Sequence, residues 1–203
     1  MLDEGYIKFQ ANWIKKEVIT DANICELNHW RQEMHRLSLI GAYSNGIGYG
    51  NISQRIGKSN QFYISGSKTG NFKRLSATHY AIVQSVEISN NSLTCKGLTI
   101  ASSESMSHAV IYEECNWVQG VIHVHHLGLW KKLLHKVPTT AKSVPYGSPE
   151  MAYSIVDLLR NKDTQVQQIF VMEGHEEGIF AFGKDLEAAA AVIKYWLTQY
   201  NFL

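Results

Sequence analysis

The order of patterns along this chain predicts an α/β protein in which one sheet is covered by helices on both faces. Three observations carry that expectation. Apolar residues recur at helical spacing near both ends of the chain; short runs of Val, Ile, Phe and Tyr bounded by glycine and asparagine occupy 46–66 and 81–96; and helix-like and strand-like segments then alternate from 104 to 193. With 203 residues, 45% of them hydrophobic, the chain can bury one substantial core, and a single domain over 1–203 is expected.

The stretch around Tyr6, Phe9 and Trp13 has the pattern of a weak helix. A stronger helix follows, with Asp21 as its expected N-cap, Ile24, Leu27, Trp30, Met34 and Leu37 on one side, and Gly41 as its stop. From Gly46 the texture changes: Gly-Ile-Gly-Tyr-Gly-Asn-Ile-Ser and then Phe62-Tyr-Ile-Ser-Gly read as short strands joined by glycine turns. Segments 81–88 and 92–96 form a hairpin about Asn90-Asn91. Ser102 and Ser103 can cap a helix over 104–114, and 117–125 follows as a strand. Pro149 suits the first turn of a helix through 159, 168–172 and 178–182 read as strands, and a last helix holds Leu186-Glu-Ala-Ala-Ala-Ala-Val-Ile.

Lys and Arg number 19 against 18 Asp and Glu, and no basic run is interleaved with aromatics. That balance gives no support to a nucleic-acid groove or a polybasic membrane patch and leaves a small molecule as the expected partner. Cys25, Cys95 and Cys115 are odd in number and far apart, which argues against a disulfide framework or a thiolate zinc site and suits a reducing compartment. The opening Met-Leu-Asp-Glu-Gly has no leader pattern, and no stretch approaches the roughly 18 apolar residues of a membrane span, so a soluble cytoplasmic protein is expected.

The feature richest in chemistry is His123-Val124-His125, answered fifty residues later by His175 in Glu173-Gly174-His175-Glu176-Glu177-Gly178. Alternate side chains of a strand leave the same face, so His123 and His125 share one space while Ile122 and Val124 face the other way. Three neutral imidazoles suit Zn²⁺ or another divalent transition metal and leave a position free for water or substrate, although the same residues would equally serve core packing and hydrogen bonding. Ser102-Ser103 can be a helix cap, and the N–H groups at such a helix start also suit a phosphate. His108, on an apolar-flanked helix, reads as a satisfied structural histidine, and His126 faces away from His125 if the strand continues.

Several motifs now stand in order: Gly50-Asn51-Ile52-Ser53, Ile64-Ser65-Gly66-Ser67-Lys68-Thr69-Gly70, Ser102-Ser103-Glu104 with His108, and Gly120-Val-Ile-His123-Val-His125 with His175. Tyr146-Gly147-Ser148-Pro149-Glu150 and Gly183-Lys-Asp-Leu-Glu-Ala-Ala complete the series. Together they resemble the class II aldolase/adducin head-domain family from about 30 to 193, most closely its L-fuculose-phosphate aldolase type. The resemblance implies a three-layer α/β/α sandwich with a central, mostly antiparallel sheet, commonly a homotetramer with sites at subunit interfaces. It implies a divalent-metal (zinc) dependent lyase that cleaves a ketose phosphate to dihydroxyacetone phosphate and an aldehyde through an enediolate. His123, His125 and His175 would hold the metal, Glu104 would be the catalytic acid/base, and Asn51, Ser65, Gly66, Ser102 and Ser103 would bind the phosphate of a small phosphorylated sugar. Within the family, L-ribulose-5-phosphate 4-epimerases use the same cleavage step and methylthioribulose-1-phosphate dehydratases eliminate water. A non-enzymatic adducin-like interaction domain would need none of the three histidines.

Three departures matter. The 65–70 turn carries an extra residue relative to the family's Thr-Pro-Ser-Gly or Thr-Pro-Thr-Gly, so either Ser65 and Gly66 or Thr69 and Gly70 face the phosphate. The stretch 126–144 is shorter than in the aldolases and lacks the tyrosine that protonates the leaving aldehyde there, which leaves Tyr146, Tyr195 and Tyr200 as candidates. Glu176 replaces the glycine that commonly follows the third histidine.

Overall fold

The computed structural model describes residues 6–203. In chain order these form β1 (Gln10–Lys15), α1 (Cys25–Arg36), β2 (Gly41–Ala42), β3 (Gly48–Tyr49), β4 (Asn51–Arg55), β5 (Phe62–Ser65), β6 (Tyr80–Glu87) and β7 (Ser92–Gly97). The second half supplies α2 (Ser105–Glu114), β8 (Gly120–His125), α3 (Leu127–Leu133), α4 (Pro149–Leu159), α5 (Lys162–Gln167), β9 (Ile169–Val171), β10 (Gly178–Gly183) and α6 (Leu186–Gln199). One sheet runs in the order β1-β7-β6-β5-β4-β8-β10-β9 and is antiparallel except where β1 lies parallel to β7. β2 and β3 form a separate small ribbon.

Helices cover both faces, as expected. Met106, Val110, Met151 and Ile155 of α2 and α4 bury against Val121, Phe180 and Phe182 on one face. Leu27 and Met34 of α1 and Ile193 and Leu197 of α6 bury against Ile52, Ile122 and Val124 on the other. Every residue of β8 is buried, so the strand has no solvated face and His123 and His125 are polar exceptions inside it. A buried imidazole needs hydrogen bonds or a metal to offset its lost hydration.

Local signals gave way in four places. The N-terminal stretch is the strand β1 and not a weak helix: Trp13 Nε1 donates to Gly97 O at 3.0 Å and Phe9 is buried, so pairing with a distant strand outweighs a marginal local pattern. Asp21 lies inside a short 3₁₀ turn instead of capping it. Thr20 takes the cap position, its N–H and hydroxyl both donating to Asn23 Oδ1, while the Asp21 carboxylate accepts from Ala77 N at 2.9 Å. α1 ends at Arg36, with Ser38 in the left-handed region at φ 58° and Gly41 already in β2. α2 starts at Ser105 with Glu104 at its cap, Ser102 Oγ accepting from Glu104 N at 3.4 Å.

The later elements follow the sequence more closely. Ser148 caps α4, its Oγ accepting from Met151 N at 3.2 Å just ahead of Pro149. The sequence reading had no counterpart for α3 or α5; α3 is capped by the imidazole of His126, whose Nδ1 accepts from Leu129 N at 3.0 Å. No described helix is long and apolar enough to cross a membrane, and the three cysteines are free thiols.

Candidate functional site

His123 and His125 point from β8 into the α2–α4 side of the sheet, and His175 joins them from the turn between β9 and β10. All three are buried, and one nitrogen from each lies within 4.8 Å of the others. Phe180 stacks on the His123 ring at 4.2 Å and Tyr146 on the His175 ring at 4.4 Å. The turn carrying His175 requires glycine at 174, because a Cβ there would lie 2.0 Å from Val144 O. That close approach brings the segment leading to Tyr146 against the turn.

Hydrogen-bond partners fix where the ring protons sit. His123 Nδ1 lies 3.2 Å from Ile179 O, an acceptor, so Nδ1 carries the hydrogen and Nε2 the lone pair. The Tyr43 hydroxyl lies 2.7 Å from Glu177 Oε2 and 3.0 Å from His125 Nδ1. Its one hydrogen goes to the carboxylate, so His125 Nδ1–H donates to the hydroxyl oxygen and His125 Nε2 also keeps its lone pair. The two Nε2 atoms are 3.1 Å apart, lone pair toward lone pair. That arrangement is repulsive unless a cation lies between. Burial first, and then His125 and His175, push the His123 pKa well down, so the ring stays neutral and able to ligate. Three buried imidazoles, two of them held in one tautomer by outer partners, fit a divalent transition metal.

Glu177, which takes the Tyr43 hydrogen and so frees its oxygen for His125, sits at an unusual backbone position, φ 72°. Contact with His125, whose Nδ1 is 3.8 Å away, and the Tyr43 hydrogen bond hold its carboxyl below the usual range. Glu176, the neighbour conspicuous in sequence, is exposed.

Beside the histidines, Asn51, Gly66, the 67–70 turn and Ser102-Ser103-Glu104 line one cleft. Asn51 stands opposite His123 in the β4–β8 ladder, which makes cleft and histidine cluster neighbours. Ser65 lies outside the lining, its Oγ accepting from Ile52 N at 3.2 Å, and Gly66 N–H is engaged with His79 O at 2.8 Å. Thr69 Oγ1 donates to Gly66 O at 2.8 Å, tying the turn across itself. Behind it, buried Arg31 of α1 donates to the carbonyls of Thr69, Gly70, Phe72 and Lys73. Glu104 is 2% exposed and its Oε2 accepts from the Ser107 hydroxyl at 2.9 Å. Of the tyrosines in question only Tyr146 reaches the cluster; Tyr195 is exposed on α6, and Tyr200 packs with the opposite helical layer. Tyr43, Glu177 and Arg31 were not singled out by motif or spacing.

The model of the class II aldolase and adducin N-terminal domain matches residues 39–198. Among solved structures, an L-fuculose 1-phosphate aldolase is 16% identical with a TM-score of 0.63, covering 91% of this chain and 89% of its own. YgbL of Klebsiella pneumoniae, a putative aldolase/epimerase/decarboxylase, is 15% identical with a TM-score of 0.64, covering 92% and 90%. A sugar-phosphate aldolase from Thermotoga maritima is 17% identical with a TM-score of 0.57, covering 84% and 91%. No curated protein matches.

Proposed function

This chain belongs to the class II aldolase and adducin N-terminal domain family, and on that premise we propose that it is a zinc-dependent aldolase releasing dihydroxyacetone phosphate and an aldehyde from a ketose phosphate. The observation that carries the reading is the pair of facing Nε2 lone pairs on His123 and His125, set beside a cleft lined by a buried carboxylate and serine hydroxyls. A divalent cation held by His123, His125 and His175 would supply Lewis-acid stabilisation of the enediolate charge left by carbon–carbon cleavage. Ser102, Ser103 and Asn51 grip the phosphate with hydroxyl and amide hydrogens, joined by the 66–70 turn, while Ser65 at the end of β5 holds β4 through Ile52 N. Glu104 takes or returns the proton at the reacting carbon. Its Oε2 accepts from Ser107, which orients the carboxylate, and its burial keeps competing water away. We extend the proposal to a homotetramer, which light scattering of the purified protein tests.

Glu104→Gln keeps the side-chain shape and removes its basicity. Turnover on a panel of ketose 1- and 5-phosphates should fall by roughly 10²–10⁴-fold while zinc content stays near one per chain. Loss of zinc in this variant would make Glu104 chiefly a ligand, and full turnover would withdraw its catalytic role. An epimerised sugar phosphate or a dehydrated product from the wild-type protein would replace the aldolase reading with the epimerase or dehydratase one. A wild-type protein that binds no metal would leave the adducin-like reading.

A further inference from the structure

Behind the cleft, Tyr112, Ser53, His108 and Asn51 form a buried polar chain. Ser53 Oγ lies 2.8 Å from Tyr112 Oη and 2.6 Å from His108 Nδ1, and His108 Nε2 lies 2.5 Å from Asn51 Oδ1. Each link alone is ambiguous, because a hydroxyl can give or take a hydrogen and an imidazole has two neutral tautomers. Taken together they allow one order. Among the described residues, Ser53 Oγ is the hydrogen-bond partner of the Tyr112 hydroxyl, and the groups over its ring, Phe62 and the Arg55 guanidinium, accept no hydrogen. The Tyr112 hydrogen therefore goes to Ser53. Ser53 gives its own to His108 Nδ1, and His108 carries its proton on Nε2, facing Asn51. The reverse order would strand a fully buried hydroxyl hydrogen without an acceptor. Burial also keeps both ends neutral, with the His108 pKa pushed down to about 3 and that of Tyr112 pushed up, so ionisation near neutral pH does not undo the order.

We propose that Tyr112, Ser53 and His108 are positioning residues that commit the carbonyl oxygen of Asn51 inward, so that its NH₂ group faces the cleft as a donor to the substrate phosphate. The inference rests on the phosphate-cleft reading above. Hydroxyls adapt to an anion by rotating one hydrogen, whereas an amide must turn over whole. An Asn51 with its oxygen outward would repel the phosphate that its nitrogen attracts.

The first test is the tautomer. Two-bond ¹H–¹⁵N correlation spectra of the zinc-loaded protein should show His108 protonated on Nε2 only; an Nδ1–H form overturns the proposal. The second is affinity for inorganic phosphate, titrated calorimetrically before and after chelation of the metal so that binding to the ion is separated. His108→Leu should weaken it by at least about twofold, the factor for an amide left without preference, and by up to about tenfold where the outward oxygen is favoured. His108→Gln, which can still donate to Asn51, should restore part of the loss, and zinc content should not change. If His108→Leu does not fold, Tyr112→Phe decides: it should let the Nδ1–H tautomer appear, and an unaltered tautomer refutes the ordering. Unchanged affinity in Asn51→Ala would remove Asn51 from the cleft reading itself. A loss there without one in folded His108→Leu would refute the positioning role alone.

Discussion

Replacing Tyr43 with Phe deletes one oxygen and disturbs two contacts at once. The hydroxyl donates to Glu177 at 2.7 Å and accepts from His125 Nδ1 at 3.0 Å, so its loss takes away the group that keeps the His125 proton on Nδ1 and the lone pair on Nε2. Glu177 Oε2, at 3.8 Å from Nδ1, would have to close most of an ångström to replace it. Loss of an outer partner of a ligating histidine commonly lowers metal affinity 10–100-fold, about 1.4–2.8 kcal/mol. Here the ring also rests against Tyr49 and His123, with centroids at 5.5 and 4.9 Å, and keeps a nearby carboxylate, which places the expected loss near the lower end, about tenfold. Competition for zinc against a chromophoric chelator measures it, with the melting temperature of the metal-free protein as a control for folding. An affinity within about twofold of wild type at unchanged metal-free stability would show that the His125 tautomer is set without Tyr43, and the reasoning would fail.

Glu177→Gly relieves a left-handed backbone but removes the carboxylate that accepts the Tyr43 hydrogen, so zinc affinity should fall with no gain in the stability of the metal-free protein; unchanged affinity in chelator competition, or a raised metal-free melting temperature, would contradict this. Ser103→Ala should weaken phosphate binding by several-fold, about 1 kcal/mol for one hydroxyl, and equal affinity for phosphorylated and unphosphorylated sugars would sink the cleft assignment. Stability of the metal-free protein should depend on acid through His108. Its pKa falls from 6.5 to about 3 on folding, so below pH 6.5 the unfolded chain binds the extra proton, and stability drops by about 1.4 kcal/mol per pH unit toward pH 3. Denaturant titrations across that range, with His108→Leu as reference, should show the slope in wild type and a shallower one in the variant.

Much of this fold was legible because its main elements announce themselves locally. Alternation placed His123 and His125 on one face of β8 and Ile122 and Val124 on the other, and Pro149 marked the first turn of α4. What escaped depends on distant partners. β1 is a strand only because β7 lies beside it, and Asp21 caps a turn elsewhere in the chain. The candidate site divides the same way: the three histidines that the fold brings together stand out by spacing and the serine pair by family resemblance, whereas Tyr43 and Glu177 meet across 134 residues with no shared motif. Glu176 drew notice by its place in the sequence, yet it is the next residue, turned inward by a left-handed backbone, that reaches His125.

Arg31 shows whose property the 69–73 turn is. Its guanidinium, buried under the turn, gathers four carbonyls from residues far along the chain, and its helix is tied in turn to α6 through Glu33 and Lys194 at 2.8 Å. The turn is therefore not a portable cassette. Transplanted into a relative without an arginine at the matching place, the same residues would lose the planar fork that gathers their carbonyls, and lysine, a point donor, would not replace it. By the same linkage, α1 and α6 bear on the turn that lines the cleft, so on the proposed function a search for altered substrate preference should include α1 as well as the cleft lining.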